Sequence, residues 1–141
     1  MRQDLADDRL EVHYQPVLEF RSDHIAGFEA LVRWTHPERG PISPAEFIAL
    51  AEETSLIVLV GEYVFDAACT ALDALRADPM PYIAVNVSAH QLTHPGLIER
   101  VVARRKVLRL PLGSINVEMT ESQLVDHETV AAFIARCHAQ G

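Results

Sequence analysis

Gly27-Phe28-Glu29-Ala30-Leu31-Val32-Arg33-Trp34 reads as a strand with two unlike faces. Side chains alternate along an extended chain. Phe28, Ala30, Val32 and Trp34 therefore form one face, and Glu29, Leu31 and Arg33 form the other. An acid and a base inside a strand that otherwise reads as buried are costly unless both have partners. That cost points to a site. Upstream, Leu10 to Phe20 alternates in the same way, with Leu10, Val12 and Tyr14 against Glu11, His13 and Gln15, and Pro16 near its end. Ser22-Asp23 reads as a turn, and the second strand runs from Ile25 to Thr35. So short a link joins the two as an antiparallel hairpin.

Downstream, the residues from His36 to Pro41 read as loop, and Ser43-Pro44-Ala45-Glu46 as a helix start. Ser43 serves as cap, Pro44 suits the first turn and Glu46 completes a capping box. That helix runs to about Glu53. A longer one follows from about Val58 to Ala77, with Val60, Val64, Ala68, Leu72 and Leu75 on one stripe. Asp78-Pro79-Met80-Pro81 ends it. Tyr82 to Ser88 is a third strand, Pro95 to Leu108 a helix, and Ser114 to Thr120 a fourth strand. Asp126 caps a last helix in which Val130, Phe133, Ile134 and Cys137 share a face. Strands alternating with helices predict parallel pairing and an α/β architecture.

The 141 residues suffice for one domain with its own core, and an apolar fraction of 49% argues against disorder. A net charge of −8 gives no general attraction for nucleic-acid phosphates, so neither DNA nor RNA is an expected partner. Handling a phosphate would need local positive charge, from Arg33 or from bound metal ions. Cys69 and Cys137 lack disulfide or Cys-x-x-Cys spacing and read as reduced core thiols of a cytoplasmic protein. The charged N-terminus does not read as a signal peptide, and no apolar run reaches membrane-spanning length. The histidines are scattered. Lys106, the sole lysine, reads as part of a solvated basic helix face with Arg104 and Arg105.

Three strands carry an oxygen able to bind a metal at corresponding places: Glu29 between Phe28 and Ala30, Asn86 between Val85 and Val87, and Glu118 between Val117 and Met119. Glu121 follows the last of these. Ligands of parallel α/β folds bind where the strands' C-terminal ends meet. Two carboxylates and an amide oxygen suit Mg²⁺ or Mn²⁺ and not structural zinc. Any one of these residues alone reads equally as a surface side chain. Three on three strands, each in an apolar setting, point to a site.

At these residues the chain resembles the EAL-domain family of cyclic di-GMP phosphodiesterases. Tyr14-Gln15-Pro16 resembles the family's opening strand, and Glu29-Ala30-Leu31-Val32-Arg33 its name-giving motif. Pro44-Ala45-Glu46-Phe47-Ile48 and Ala51-Glu52-Glu53-Thr54 resemble its first helix. Asn86-Val87-Ser88 and Glu118-Met119-Thr120-Glu121-Ser122 resemble two later strand motifs. The resemblance implies a variant TIM (β/α)8 barrel whose first strand is antiparallel, with about its first half in this chain. It implies a bacterial, cytoplasmic hydrolase that opens cyclic di-GMP to linear pGpG at a two-metal Mg²⁺ or Mn²⁺ site. Glu29, Asn86 and Glu118 match the metal ligands, with Glu29 also counted as catalytic. Gln15 and Arg33 match substrate contacts, and Glu121 matches a residue that stabilises the loop over the site. A homodimer of the full domain is one assembly this leaves open.

A TIM barrel takes about 250 residues, so residues 1–141 are read as the N-terminal portion of a single EAL domain. The family's later Asp-Asp pair, catalytic lysine and further glutamate fall outside this sequence, and the chain alone is expected to be inactive. An open half-barrel would leave an unpaired strand at each edge. The expectation is therefore a truncation, a proteolytic product or the ordered part of a longer protein. The rival readings are a non-catalytic cyclic di-GMP receptor and an interaction module in which the site is a relic.

Overall fold

The alternation read in Leu10–Phe20 and Ile25–Thr35 becomes a long antiparallel pair. β1 (Leu10–Leu18) and β2 (Ile25–His36) pair antiparallel from Leu10↔Trp34 to Leu18↔Ile25, with a register shift between Val17 and Leu18. Glu19 N–H donates to His24 O at 2.8 Å and closes the turn. The computed structural model describes residues 9–20, 23–94, 96–119 and 127–140. The expected turn residue Ser22, the helix start at Pro95 and the cap Asp126 lie outside the described residues.

β2 is the strand from which the rest of the sheet grows. Beyond His36 the chain turns back, and β3 (Gly40–Ile42) pairs antiparallel with the end of β2. The reading of residues 36–41 as loop is thus corrected at its end. Gly40 supplies a positive φ of 72°. Ile42 is then buried in a small cluster with Leu10, Trp34 and Phe47, where the Trp34 and Phe47 rings meet edge-on at 6.1 Å. Pro41 has no N–H to offer, which a short edge strand tolerates. Phe47 is fully buried at the centre of this cluster. Phe47→Ala is expected to cost about 3–5 kcal/mol of stability, read from urea denaturation. A loss within error of zero would mean the cluster carries no weight.

α1 (Pro44–Glu53) starts where expected, but the capping box does not form: Ser43 makes no side-chain cap bond. Its backbone carbonyl accepts from Glu46 and Phe47 N–H instead. The Glu46 carboxylate is taken by Arg39 Nη2 at 2.7 Å, a charged partner that outcompetes a local backbone amide. α2 (Ile57–Leu75) follows, and its Val60, Val64, Ala68 and Leu72 are buried as the stripe predicts. Leu75 is half exposed, because the helix stops there and Arg76 turns left-handed.

β4 (Tyr82–Asn86) pairs parallel with β2, and β5 (Ile115–Glu118) parallel with β4, giving the order β1-β2-β4-β5 with β3 on the far end of β2. Both parallel strands are shorter than the sequence suggests. Between them lie a single helical turn, α3 (Ala89–Leu92), absent from the sequence reading, and α4 (Leu97–Leu108). α5 (His127–Gln140) closes the described chain. Phe133 anchors it in the core, whereas Ile134 remains partly exposed.

The main core is one-sided. Val60, Val64, Phe65, Ala68, Cys69 and Leu72 of α2 pack against Ala30, Ile83 and Val85 of the sheet, with Leu97, Ile98 and Phe133 joining from the later helices. Each of the Val, Leu, Ile and Phe side chains among them contributes about 1.5–3 kcal/mol by leaving water. Tyr63 Oη donates to Leu10 O at 2.6 Å and ties α2 to the outer strand. Cys69 and Cys137 are free thiols, and burial pushes the Cys69 thiol up. Lys106 is exposed as expected, but Arg105 folds back to donate to Leu110 O at 2.9 Å, so the basic face is narrower than the sequence implies. Among the described residues, no helix is long and apolar enough to cross a membrane.

Candidate functional site

Pairing register decides which side chains share a face. Gln15 stands opposite Glu29 across β1 and β2, and Glu29 stands opposite Ala84 across β2 and β4. Asn86 is two residues beyond Ala84, hence on the same face, and it stands opposite Glu118 on β5. The sheet therefore brings Gln15, Glu29, Asn86 and Glu118 onto one face, the one turned away from the core helices. Arg33 lies on that face too, four residues beyond Glu29 and so about 13 Å further along the strand. Asn86 and Glu118 are the last residues of β4 and β5, whereas β2 runs on past their ends to His36. Glu29 itself is level with Ala84, two residues short of Asn86, and its side chain reaches Asn86 from mid-strand.

Among the described residues one direct bond joins the set. Asn86 Nδ2 donates to Glu29 Oε1 at 2.7 Å. That bond commits the amide nitrogen of Asn86 and leaves its oxygen as a donor atom for a ligand. Val87 N–H, just beyond Asn86, donates to Glu118 O at 2.9 Å and holds the ends of β4 and β5 together. Glu29 and Arg33 are half-buried, and Gln15, Asn86 and Glu118 are exposed. Arg33 Nη1 donates to Val32 O at 3.0 Å. Glu121 lies outside the described residues.

Beneath these residues the face narrows to a floor. Ala84 is completely buried. The Tyr82 ring crosses Gly27, where an added Cβ would sit 2.7 Å from three ring atoms. Glycine is required at Gly27 for that close approach, not for a turn. The sequence names Tyr82, Glu11 and His13 as strand residues and gives none of them a place in the site. In register, Glu11 faces Arg33 and His13 faces Leu31. His13 Nε2 lies 3.1 Å from Glu11 Oε2. Alternation on β1 already placed Glu11 and His13 beside Gln15; only their opposition to Arg33 needed the register.

The donor set fits a hard divalent cation. Glu29 and Glu118 flank an amide oxygen, and neither carboxylate has a basic partner among the described residues. Two like charges on one face favour a cation between them. No cluster of three or more His, Cys, Asp or Glu forms among the described residues, so the ligands here amount to two carboxylates and one amide. A groove of about 430 Å³ runs beside β5 between α4 and α5. It is mainly apolar, lined by Val101, Phe133 and Cys137 among others, and meets the site only through Asn116 and Glu118.

Comparison with known proteins adds three findings. The family described as EAL domain matches residues 1–141. The bifunctional diguanylate cyclase/cyclic di-GMP phosphodiesterase MucR of Pseudomonas aeruginosa is 44% identical over 148 residues, covering 100% of this chain and 21% of that protein. The cyclic di-GMP phosphodiesterase PdeR of Escherichia coli K12 is 35% identical over 141 residues, covering 99% of this chain and 21% of that protein. The structure of the PaMucR phosphodiesterase in complex with c-di-GMP superposes with a TM-score of 0.90 at 36% identity, over 99% of this chain and 58% of that one. The chain spans only 15–21% of the length of the first curated relatives it matches.

Proposed function

The chain belongs to the EAL domain family, and we propose that residues 1–141 are the N-terminal portion of one such domain in a cyclic di-GMP phosphodiesterase. The TIM-barrel-like fold of the family carries an antiparallel first strand into a parallel sheet, as β1 and β2 do here. The observation that carries the functional reading is that Glu29, Asn86 and Glu118 share one sheet face, with Asn86 and Glu118 at the C-terminal ends of β4 and β5 and Glu29 bonded to Asn86. Active sites of such barrels lie at that end.

The reaction is hydrolysis of one phosphodiester of cyclic di-GMP. A water oxygen bonds to phosphorus as the P–O3′ bond breaks, leaving a 5′-phosphate and a free 3′ hydroxyl in linear pGpG. Glu29, Asn86 and Glu118 would hold Mg²⁺ or Mn²⁺, which when bound supplies charge neutralisation on the phosphate and acidifies a water for in-line attack. The chain's own residues bind and orient. Asn86 holds the Glu29 carboxylate in one direction through its 2.7 Å bond. Arg33 presents its remaining guanidinium donors to a phosphate oxygen. Gln15, opposite Glu29 on the neighbouring strand, would hydrogen-bond the ligand beside the reacting phosphate. In this reading Glu121 stabilises the loop after β5.

The test is hydrolysis of cyclic di-GMP by the complete domain, followed by chromatography. The 141 residues lack the Asp-Asp pair, lysine and later glutamate that the family resemblance assigns to the site, so the chain alone is expected to be inactive. Linear pGpG is expected with Mg²⁺ or Mn²⁺, and none with a chelator. Tight binding of cyclic di-GMP with no product at saturating metal would replace this reading with that of a receptor.

A further inference from the structure

Gln91 is a polar side chain with an exposure of 2%. A buried primary amide is costly unless its donors and acceptor are used. Here both ends are. Gln91 Nε2 donates to Ile57 O at the start of α2, at 3.0 Å, and Gln91 Oε1 accepts from Ser88 N–H at 2.9 Å. α2 makes room for it. A Cβ on Gly61 would stand 1.9 Å from Gln91 Nε2 and 3.1 Å from its Cδ. Glycine inside a helix is otherwise unfavourable, and Gly61 has a normal backbone φ, so space for Gln91 is what it provides.

The bonded segment leads directly out of the site. Asn86 ends β4, Val87 N–H is tied to Glu118 O, and Ser88 N–H is tied to Gln91. The two residues after Asn86 are therefore held from opposite sides, by β5 and by α3. We infer that Gln91 is a positioning residue that, through Gly61 and Ser88, sets where the Asn86 carboxamide meets Glu29. The inference rests on the metal-site reading above for its consequence, though not for its geometry. Partners that orient metal ligands typically alter metal affinity by 10–100-fold when removed.

The experiment uses the complete domain and the variants Gln91→Met, Gly61→Ala and Gly61→Ala/Gln91→Ala. The first readout is the side-chain amide NMR signal of Asn86 in metal-free protein. It is expected to shift or broaden in both single variants while the far-ultraviolet circular dichroism stays native. The second is Mn²⁺ titration, in which Kd is expected to rise about tenfold while the KM for cyclic di-GMP at saturating Mn²⁺ is unchanged. The double variant should be no worse than the worse single, because the added methyl then meets no amide. Should Gln91→Met fail to fold, Gln91→Glu keeps the acceptor for Ser88 and carries the same readouts. An unmoved Asn86 signal in a folded but less stable variant would overturn the inference and leave Gln91 a structural cap. Absence of Mn²⁺ binding by the unmodified domain would instead sink the metal reading, with the Asn86 signal still deciding the role of Gln91.

Discussion

Glu29→Ala is expected to lower turnover of cyclic di-GMP in the complete domain by about three orders of magnitude or more. The reasoning starts from the sheet. Glu29 is the only carboxylate on β2, it accepts the Asn86 amide, and it shares a sheet face with Asn86 and Glu118. Removing it takes away one of the two carboxylates that residues 1–141 bring to this face and the acceptor of the Asn86 amide in one step. Electrostatic stabilisation at a metal site supplies several kcal/mol to a transition state. A loss of about 4 kcal/mol corresponds to about a thousandfold in rate. Glu29→Gln separates the causes. It keeps the shape and a carbonyl oxygen for Asn86 Nδ2, and it removes only the charge. If charge is what matters, Glu29→Gln falls nearly as far as Glu29→Ala. If orientation of Asn86 dominates, Glu29→Gln recovers most of the rate. Near-normal turnover in Glu29→Ala would take Glu29 out of the site altogether.

Most of what positions this site was legible in the sequence, because alternation is a local signal. Glu29 was assigned to the face opposite Phe28, Ala30, Val32 and Trp34 from spacing alone, and the core forms on that latter face. Parallel pairing then places Asn86 and Glu118 side by side, since β4 and β5 end together. What stayed hidden depends on contacts distant in sequence. β3 has no periodic run to betray it; it forms because Ile42 finds Trp34 and Phe47. The Glu46 half of the expected capping box is missing because Arg39 takes its carboxylate. The spacing Ser88-x-x-Gln91 was a readable helix-start signal, yet the Gln91 bond to Ile57 spans 34 residues and follows no local rule. Nothing in the sequence marks Gly27, whose need for glycine comes from the Tyr82 ring lying across it. The faces of the site were thus local information, and its supports were not.

Arg33→Ala is expected to raise the KM for cyclic di-GMP by about 10–100-fold with little change in kcat. Arg33 lies on the same face as Glu29, about 13 Å further along β2 and beyond the ends of β4 and β5. Its Nη1 is engaged by Val32 O, and its other donors are open to a ligand. Glu11 faces it in register, but the Glu11 carboxylate is held by His13 at 3.1 Å, so the guanidinium charge is not spent on a neighbouring strand. A charge-assisted hydrogen bond contributes about 1.5–3 kcal/mol, and each 1.4 kcal/mol is tenfold in affinity. Contacts made equally in ground and transition states appear in KM and not in kcat. Arg33→Lys keeps the charge and loses the planar fork, so it should recover part of the affinity and most of the salt dependence. Stability should barely change, since the side chain makes one backbone hydrogen bond from a half-buried position. An unchanged KM with a collapsed kcat would move Arg33 from binding the substrate to stabilising the reacting phosphate. The binding contact would then have to be sought at Gln15, opposite Glu29 on β1.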